Sequence, residues 1–151
     1  MTEALPPSLK IFGDEELQQY RDLFRLAPIG IIRTAIDGQI LDGNKAFAEM
    51  LGYTDFSEFC QHIGYNINNL YQEAQARQGL LDHLATTDKP LHFESRWQKK
   101  DGSFFDCRLH VRTARNGAGE ISYLEGFAED ISVQKKNKKA LQKSVEQYRS
   151  V

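Results

Sequence analysis

The spacing of apolar residues changes along the chain, and each change marks an expected element. Leu17, Tyr20 and Phe24 are three and four residues apart, so they share one face of a helix expected over 14–26, with an acidic cap at its first residue. Residues 1–13 contain two prolines and show no sustained period. We therefore expect a loose leader followed by a short amphipathic helix.

Two short strands are expected next. Runs rich in β-branched residues at 29–34 and 39–41 flank Asp37 and Gly38, a dipeptide that favours a tight hairpin turn. Asn44 then begins a short amphipathic helix. These signals predict an antiparallel hairpin that leads directly into a helical segment.

The middle of the chain is expected to be helical but broken. The stretch 56–70 contains a glycine and three asparagines, which favour short helical turns and loop. Apolar residues return to helical spacing over 72–86, which predicts the longest helix of the central domain.

Beyond residue 90 the period changes from 3.6 to 2, which predicts three long antiparallel strands joined by turns at 99–102 and 116–119. Alternation also predicts which side chains share a face. On the first two of these strands the inward set is expected to be Phe93, Ser95 and Trp97, followed by Phe105, Cys107, Leu109 and Val111.

The segment 133–151 is rich in Lys and Gln and lacks Gly and Pro, so a helix is expected there. Leu141, Val145 and Tyr148 form a narrow apolar seam, but Asn137 and Ser144 stand where a strong coiled coil would have Leu. A seam this weak indicates pairing that needs help from other contacts.

The composition of the chain argues against several classes of protein. A chain of 151 residues with 40% hydrophobic content suits one domain with extensions, and a net charge of -2 gives no general reason to bind nucleic acid. The two cysteines have no metal-binding spacing and are expected to be reduced. No membrane span or signal peptide is evident, so we expect a cytoplasmic segment without membrane contact, although a longer parent protein is free to carry a span elsewhere.

Catalytic patterns are missing from the sequence. It contains no GxSxG, HExxH, Walker or GxGxxG motif, and neighbouring carboxylates such as Glu15 and Glu16 are adjacent rather than paired across a site. The histidines share no spacing with Cys or carboxylates that indicates a metal site. We therefore expect a protein that is not an enzyme and holds no metal.

Four stretches carry a family resemblance: LAPIGIIRTAIDGQILDGNKAFAEMLGY (26–53), IGYNINNLY (63–71), KKDGSFFDCRLHV (99–111) and YLEGFAEDIS (123–132). Their order and spacing resemble those of a PAS domain over 14–132. The resemblance implies an α+β fold with a five-stranded antiparallel sheet and flanking helices. It also implies a pocket that in some members holds haem, flavin or a small metabolite and in others is closed.

The resemblance, together with alternation, assigns residues to this pocket. The flavin-binding LOV branch takes amides from positions that match Trp97, Cys107 and Ala128 here, which places Ala128 inward. The expected pocket residues are Phe47, Met50, Leu51, Leu70, Leu84, Phe93, Ser95, Trp97, Cys107, Leu109, Leu124 and Ala128. Phe104, Ile121, Tyr123 and Phe127 are left on the outer face, which the helix of Leu17, Tyr20 and Phe24 or a second protomer is expected to cover.

The same alignment disfavours the two best-known cofactors. Ile67 stands where the LOV motif GxNC has its reactive cysteine, and all three amide positions are replaced, so a flavin would lack polar partners. Arg77 stands where haem members have their axial histidine, although His83 on the same helix leaves a shifted haem site open. The remaining options are a small metabolite or no ligand.

The end of the last strand carries the most information about function. Asp130, Ile131 and Ser132 resemble the family's Asp-Ile-Thr signature, which ties that strand to the outgoing helix, and an ordinary helix cap is the plainer interpretation. The resemblance implies a sensory domain, expected to be a homodimer, that relays a signal through helix 133–151 to a following module. That module would be an output domain such as a histidine kinase or diguanylate cyclase. The alternative is a ligand-free dimerisation scaffold.

Overall fold

The structure is a computed structural model that describes residues 13–73 and 75–149, so the predicted leader lies almost wholly outside the described residues. The elements in chain order are α1 (Asp14–Leu26), β1 (Gly30–Thr34), β2 (Ile40–Gly43), α2 (Lys45–Met50), α3 (Phe56–His62), a 3-10 helix (Ile67–Leu70), α4 (Ala76–Leu84), β3 (Leu91–Gln98), β4 (Phe104–Arg115), β5 (Ile121–Asp130) and α5 (Ser132–Arg149).

The five strands form one antiparallel sheet in the order β2-β1-β5-β4-β3. β5 is therefore the central strand, and its Ala128 lies opposite Gly30 of β1 on one side and Leu109 of β4 on the other. This arrangement confirms the predicted α+β fold with a five-stranded antiparallel sheet and flanking helices.

The main core lies between one face of this sheet and helices α2, α3 and α4. Alternation predicted its strand residues correctly, since Trp97, Cys107 and Leu109 are buried there. Phe47 and Phe59 meet edge to face with ring centroids 5.3 Å apart, and Phe47 meets Trp97 in the same way at 5.7 Å. Aromatic packing thus joins α2 and α3 to β3.

Ile121 does not lie on the outer face as predicted. Ala114 pairs with Tyr123 but Arg115 pairs with Ile121, so Ser122 is an extra residue in β5. Such a bulge reverses the alternation beyond it, and Ile121 packs against the main core while Tyr123 stays outside. Strict period-2 counting has no means of detecting one inserted residue.

Helix α1 has the predicted bounds but not the predicted cap. Its N-cap is Gly13, whose N–H donates to Glu16 Oε2 at 3.3 Å, while Asp14 lies in the first turn. Leu17 is buried, but Tyr20 is half exposed, so the predicted apolar face is only partly covered.

Helix α4 is the longest helix of the central domain, as predicted, but it begins later than residue 72. The segment before it is bound to the free edge of β3: Tyr71 forms an isolated bridge with Trp97, and Gln72 N–H donates to the Arg96 carbonyl oxygen at 3.4 Å. Those backbone groups are extended and cannot also form a helix. Among the described helices, none is long and apolar enough to cross a membrane.

Candidate functional site

A small cavity of about 30 Å³, partly open to the surface, lies between the sheet and α4. Its walls are mostly apolar side chains of β1, β4 and β5, joined by four residues with polar groups, namely Thr34, Tyr71, Arg77 and Trp97. This volume holds one or two water molecules, far less than the ~300 Å³ at which drug-sized ligand pockets begin.

The predicted pocket residues all lie on the helix-covered side of the sheet, but few of them border the cavity. Trp97, Leu109 and Leu124 line it. Ser95 is half-buried opposite Cys107. The other predicted residues fill the surrounding core, fully buried or packed against it: Phe47, Met50, Leu51, Leu70, Leu84, Phe93, Cys107 and Ala128.

Arg77 is the main polar feature of the cavity, and sequence reasoning noted it only as a replacement for a haem ligand. Its side chain is buried, with 4% of the residue exposed. Nη1 donates to the Ile36 carbonyl at 2.8 Å, and Nη2 donates to the Ala35 carbonyl at 2.9 Å and to Thr34 Oγ1 at 3.4 Å. Burial lowers the pKa of this guanidinium from its usual value, against the weaker opposing effects of Tyr71 and Asp37.

Trp97 stands beside Arg77 in the cavity wall, and its indole N–H is buried with no hydrogen-bond partner in the described part of the chain. Tyr71 packs against the indole edge to face, with centroids 5.8 Å apart. Burial raises the pKa of the Tyr71 hydroxyl to about 12, so it is neutral near pH 7. The cavity wall therefore combines a cation, an unpaired donor and a neutral phenol.

These residues do not fit haem or flavin. The cavity is too small for either group, and the buried guanidinium of Arg77 forms part of its wall. His83, the other haem candidate, is exposed on α4, and Ile67, at the LOV cysteine position, is buried in the 3-10 helix.

The thiols of Cys60 and Cys107 are buried, and burial lowers their reactivity. Burial raises the pKa of Cys60 to about 11 and that of Cys107 to about 12, so neither forms a thiolate readily near neutral pH. No group of three or more His, Cys, Asp or Glu among residues 13–73 and 75–149 could hold a metal ion.

A second, more open depression of about 260 Å³ lies between α3 and the turn after β3. Tyr53 Oη and His62 Nδ1 are 2.6 Å apart at one side of it. Lys99 lies at the other side, and its Nζ is 3.8 Å from Asp130 Oδ2. This depression therefore borders the end of β5.

The junction of β5 and α5 is firmly bonded. Asp130 Oδ1 accepts from the Ser132 N–H at 2.9 Å, so Asp130 supplies the acceptor at the helix start. Ile131 is fully buried, and its N–H donates to the Asp106 carbonyl of β4 at 3.0 Å. Lys135 Nζ lies 3.0 Å from Glu94 Oε2 of β3. The first turn of α5 is thus attached to three strands.

The outer face of the sheet surrounds a buried carboxylate that sequence reasoning missed. Glu125 is 4% exposed, with Oε2 2.8 Å from Arg33 Nε and Oε1 2.8 Å from Arg112 Nε. The rings of Phe24, Tyr123 and Phe127 lie 4.9–6.0 Å from the guanidinium carbons of these arginines. Phe104, farther along this face, is 41% exposed.

The alternation of residues along β5 indicates that Glu125 needs charged partners. Glu125 shares a face with Tyr123 and Phe127, so an outer face that is covered must also cover its charge. That requirement calls for basic partners on the neighbouring strands.

Comparison with known proteins agrees with this architecture. The PAS fold family model matches residues 18–131, while no curated protein matches significantly. Similar solved structures include the PAS domain of an HTR-like protein from Haloarcula marismortui (25% identity, TM-score 0.65, covering 78% of this chain and 93% of that chain). A domain of a sensory box sensor histidine kinase/response regulator from Geobacter sulfurreducens is also similar (24% identity, TM-score 0.59, 76% of this chain and 94% of that chain).

An RNA-binding Light-Oxygen-Voltage receptor shares the fold at 19% identity and a TM-score of 0.69, covering 97% of this chain and 40% of that chain. At this identity the similarity concerns the fold alone. The family model covers most of the chain, and the sheet order, the helix-covered core and the helix leaving the central strand agree with it. The chain therefore belongs to the PAS fold family.

Proposed function

We propose that this domain is a non-catalytic sensor that converts a change in its cavity into a change in α5 and so regulates a following output domain, such as a histidine kinase or diguanylate cyclase. The observation that carries the proposal is the bonded junction at Asp130, Ile131 and Ser132. It lies at the end of β5 and is bonded to β4, and both of these strands contribute to the cavity wall. The domain boundaries that suit this role are 14–132 for the sensor and 133–151 for the outgoing helix.

The path from cavity to junction is short. Leu124 and Gly126 of β5 line the cavity, and Asp130 follows on the same strand. On β4, Leu109 lines the cavity while Cys107 lies opposite Asp130. A shift of either strand at the cavity therefore acts on the hydrogen bonds that hold the start of α5.

None of the described residues of α5 is buried. Its seam residues are open to solvent, with Tyr148 83% exposed and Leu141 66% exposed. Leu23 and Leu26 of α1 are exposed as well. Apolar surface of this kind favours contact with a partner, and we propose a homodimer that pairs through α5 and is assisted by α1.

Hydrogen exchange of wild-type protein and single and double variants tests the coupling. Gly126→Ala adds one methyl group to the cavity wall, where its Cβ would meet Ile32 Cγ2 at 3.4 Å, an ordinary contact. We expect Gly126→Ala to change the exchange rates of amides in 133–149, because the repacked strand alters the start of α5. We expect that change to disappear when Asp130→Ala is also present.

Gly79→Ala serves as the matched control, since it makes the same chemical change on the exposed side of α4. It should leave the exchange of α5 as in wild type. Unchanged exchange of 133–149 in folded Gly126→Ala, or an equal change with and without Asp130, would contradict the proposed relay.

The second candidate function is a ligand-free dimerisation scaffold, which the small size of the cavity favours. Native mass spectrometry of the purified dimer, compared with denatured protein, separates the two. A reproducible additional small-molecule mass supports a sensor. Protein mass alone in every preparation, with α5 insensitive to Gly126→Ala, supports the scaffold.

A further inference from the structure

Arg77 places a charge inside the domain without a direct ion pair, because Asp37 acts on it only at longer range. No carboxylate oxygen in the described part of the chain lies within 4.0 Å of its guanidinium, and its acceptors are two backbone carbonyls and one hydroxyl. Those contacts use three of the five N–H donors of a guanidinium. A buried cation whose hydrogen-bond acceptors are all neutral is costly, and an anion in direct contact with it would offset that cost.

The unpaired indole N–H of Trp97 is an independent observation at the same cavity. Trp97 is 1% exposed, and its Nε1 has no acceptor in the described part of the chain. Buried N–H groups in folded proteins nearly always have an acceptor. The cavity therefore holds a cation without an ion pair and an N–H without an acceptor, and one small anion would satisfy both.

We propose that this cavity binds the carboxylate group of a small organic anion, held by the charge of Arg77 and the N–H of Trp97. The inference rests on the proposed sensory function and names the class of ligand for it. A volume of about 30 Å³ suits the carboxylate group itself, and a very short aliphatic tail would extend toward the open side of the cavity. Ile32, Val111 and Leu124 in the wall suit such a tail.

Water and phosphate fit these features less well than a carboxylate does. A water molecule accepts the indole hydrogen bond but leaves the charge of Arg77 unbalanced. A phosphate has four oxygens and up to two charges, more than this small, mainly apolar cavity and its single cation can compensate. A planar monoanion matches both the planar guanidinium and the available space.

Trp97 is the only tryptophan of the chain, so its indole N–H gives a single assignable signal in a proton–nitrogen NMR spectrum. We expect sodium formate and sodium acetate to shift this signal downfield in a saturable manner, because the N–H gains a charged acceptor. Formamide and acetamide, which match them in size but are neutral, should leave it in place. Sodium chloride at equal concentration controls for ionic strength.

Two variants localise the binding. Arg77→Gln should weaken acetate binding by about tenfold to a hundredfold, the effect of losing one charge-assisted hydrogen bond. Gly126→Ala, which fills part of the cavity without a clash, should weaken it at least tenfold even if Arg77→Gln fails to fold. Arg21→Gln and Gly79→Ala, both exposed, should bind acetate as wild type does.

The carboxylate assignment is overturned if formate and acetate leave the Trp97 signal unmoved, if the amides or chloride move it equally, or if Gly126→Ala binds acetate unchanged. The proposed function survives such a result when Gly126→Ala still alters the exchange of α5. Conversely, acetate that binds without changing α5 exchange supports the site and contradicts the relay. The two ideas can therefore fail separately.

Discussion

Asn44 is a polar residue that connects three elements from a buried position. Its Oδ1 accepts from the N–H groups of Ile31 and Phe47, at 2.9 and 3.0 Å. Its Nδ2 donates to the carbonyls of Phe24 and Ile29, at 3.1 and 2.9 Å. Both lone-pair sites and both amide hydrogens are used, so one side chain holds the end of α1, the start of β1 and the first turn of α2 together.

Replacing Asn44 with Ala should therefore lower the free energy of unfolding by about 3 kcal/mol, because four backbone groups lose their partner in a site with little access to water. Urea denaturation followed by circular dichroism measures this loss. Asn69→Ala, which removes one exposed hydrogen bond to the Ile63 carbonyl, is the matched control and should cost less than about 1 kcal/mol. Equal losses in the two variants would show that Asn44 is not the connection we describe.

Some roles of single residues can be predicted from the sequence, and others cannot. The sequence predicted that Asn44 begins a helix, because a cap needs only local geometry. The bonds from Asn44 to Phe24 and Ile29 and the bonds of Arg77 to the β1–β2 turn join elements that are distant in the sequence, and periodicity carries no information about them.

At the level of elements, α4 contains both the buried Arg77 and a glycine in its interior that lowers the stability of the helix. Gly79 lies inside the helix on its exposed side, and a Cβ there would meet nothing within 4 Å. Glycine in a helix interior is less favourable than alanine because the unfolded chain has more conformational freedom to lose. Nothing in the described surroundings of Gly79 requires that freedom.

Gly79→Ala should accordingly stabilise the domain by about 0.5–1 kcal/mol, which raises the melting temperature by roughly 1–4 °C for a chain of this size. Differential scanning calorimetry gives the value. Gly43→Ala provides the contrast, because its Cβ would overlap the Phe56 ring, and it should lower the melting temperature. A lower melting temperature for Gly79→Ala than for wild type would mean that the helix needs glycine for a reason outside the described contacts.

The elements themselves were largely predictable from the sequence. Period-2 alternation predicted the inward face of β3 and β4, since each strand has one covered side and therefore a strong pattern. The bulge at Ser122 and the late start of α4 were not predictable, because both result from pairing with distant strands. The pocket residues remain a prediction, although three of them line the cavity.

For the whole molecule, two matched double variants test whether the exposed apolar seam of α5 mediates dimerisation. Leu141→Gln with Tyr148→Gln removes apolar surface from the seam, and we expect it to shift the protein from dimer to monomer in sedimentation velocity. Lys136→Gln with Lys143→Gln has the same seven-residue spacing on the opposite face of the helix and should remain dimeric. A wild-type monomer at all concentrations, or equal dissociation of both variants, would contradict pairing through α5.

The central position of β5 has a mechanical consequence. The strand that continues into α5 is paired with β4 from Ile121 to Asp130 and with β1 over its middle, from Leu124 to Ala128. Traction applied to the C-terminal helix is therefore borne by the most firmly anchored strand of the sheet and spreads to both halves of the domain. An edge strand, which is hydrogen-bonded on one side only, would separate from the sheet under a smaller force. A displacement of α5 is therefore transmitted to the sheet with little loss of strand pairing.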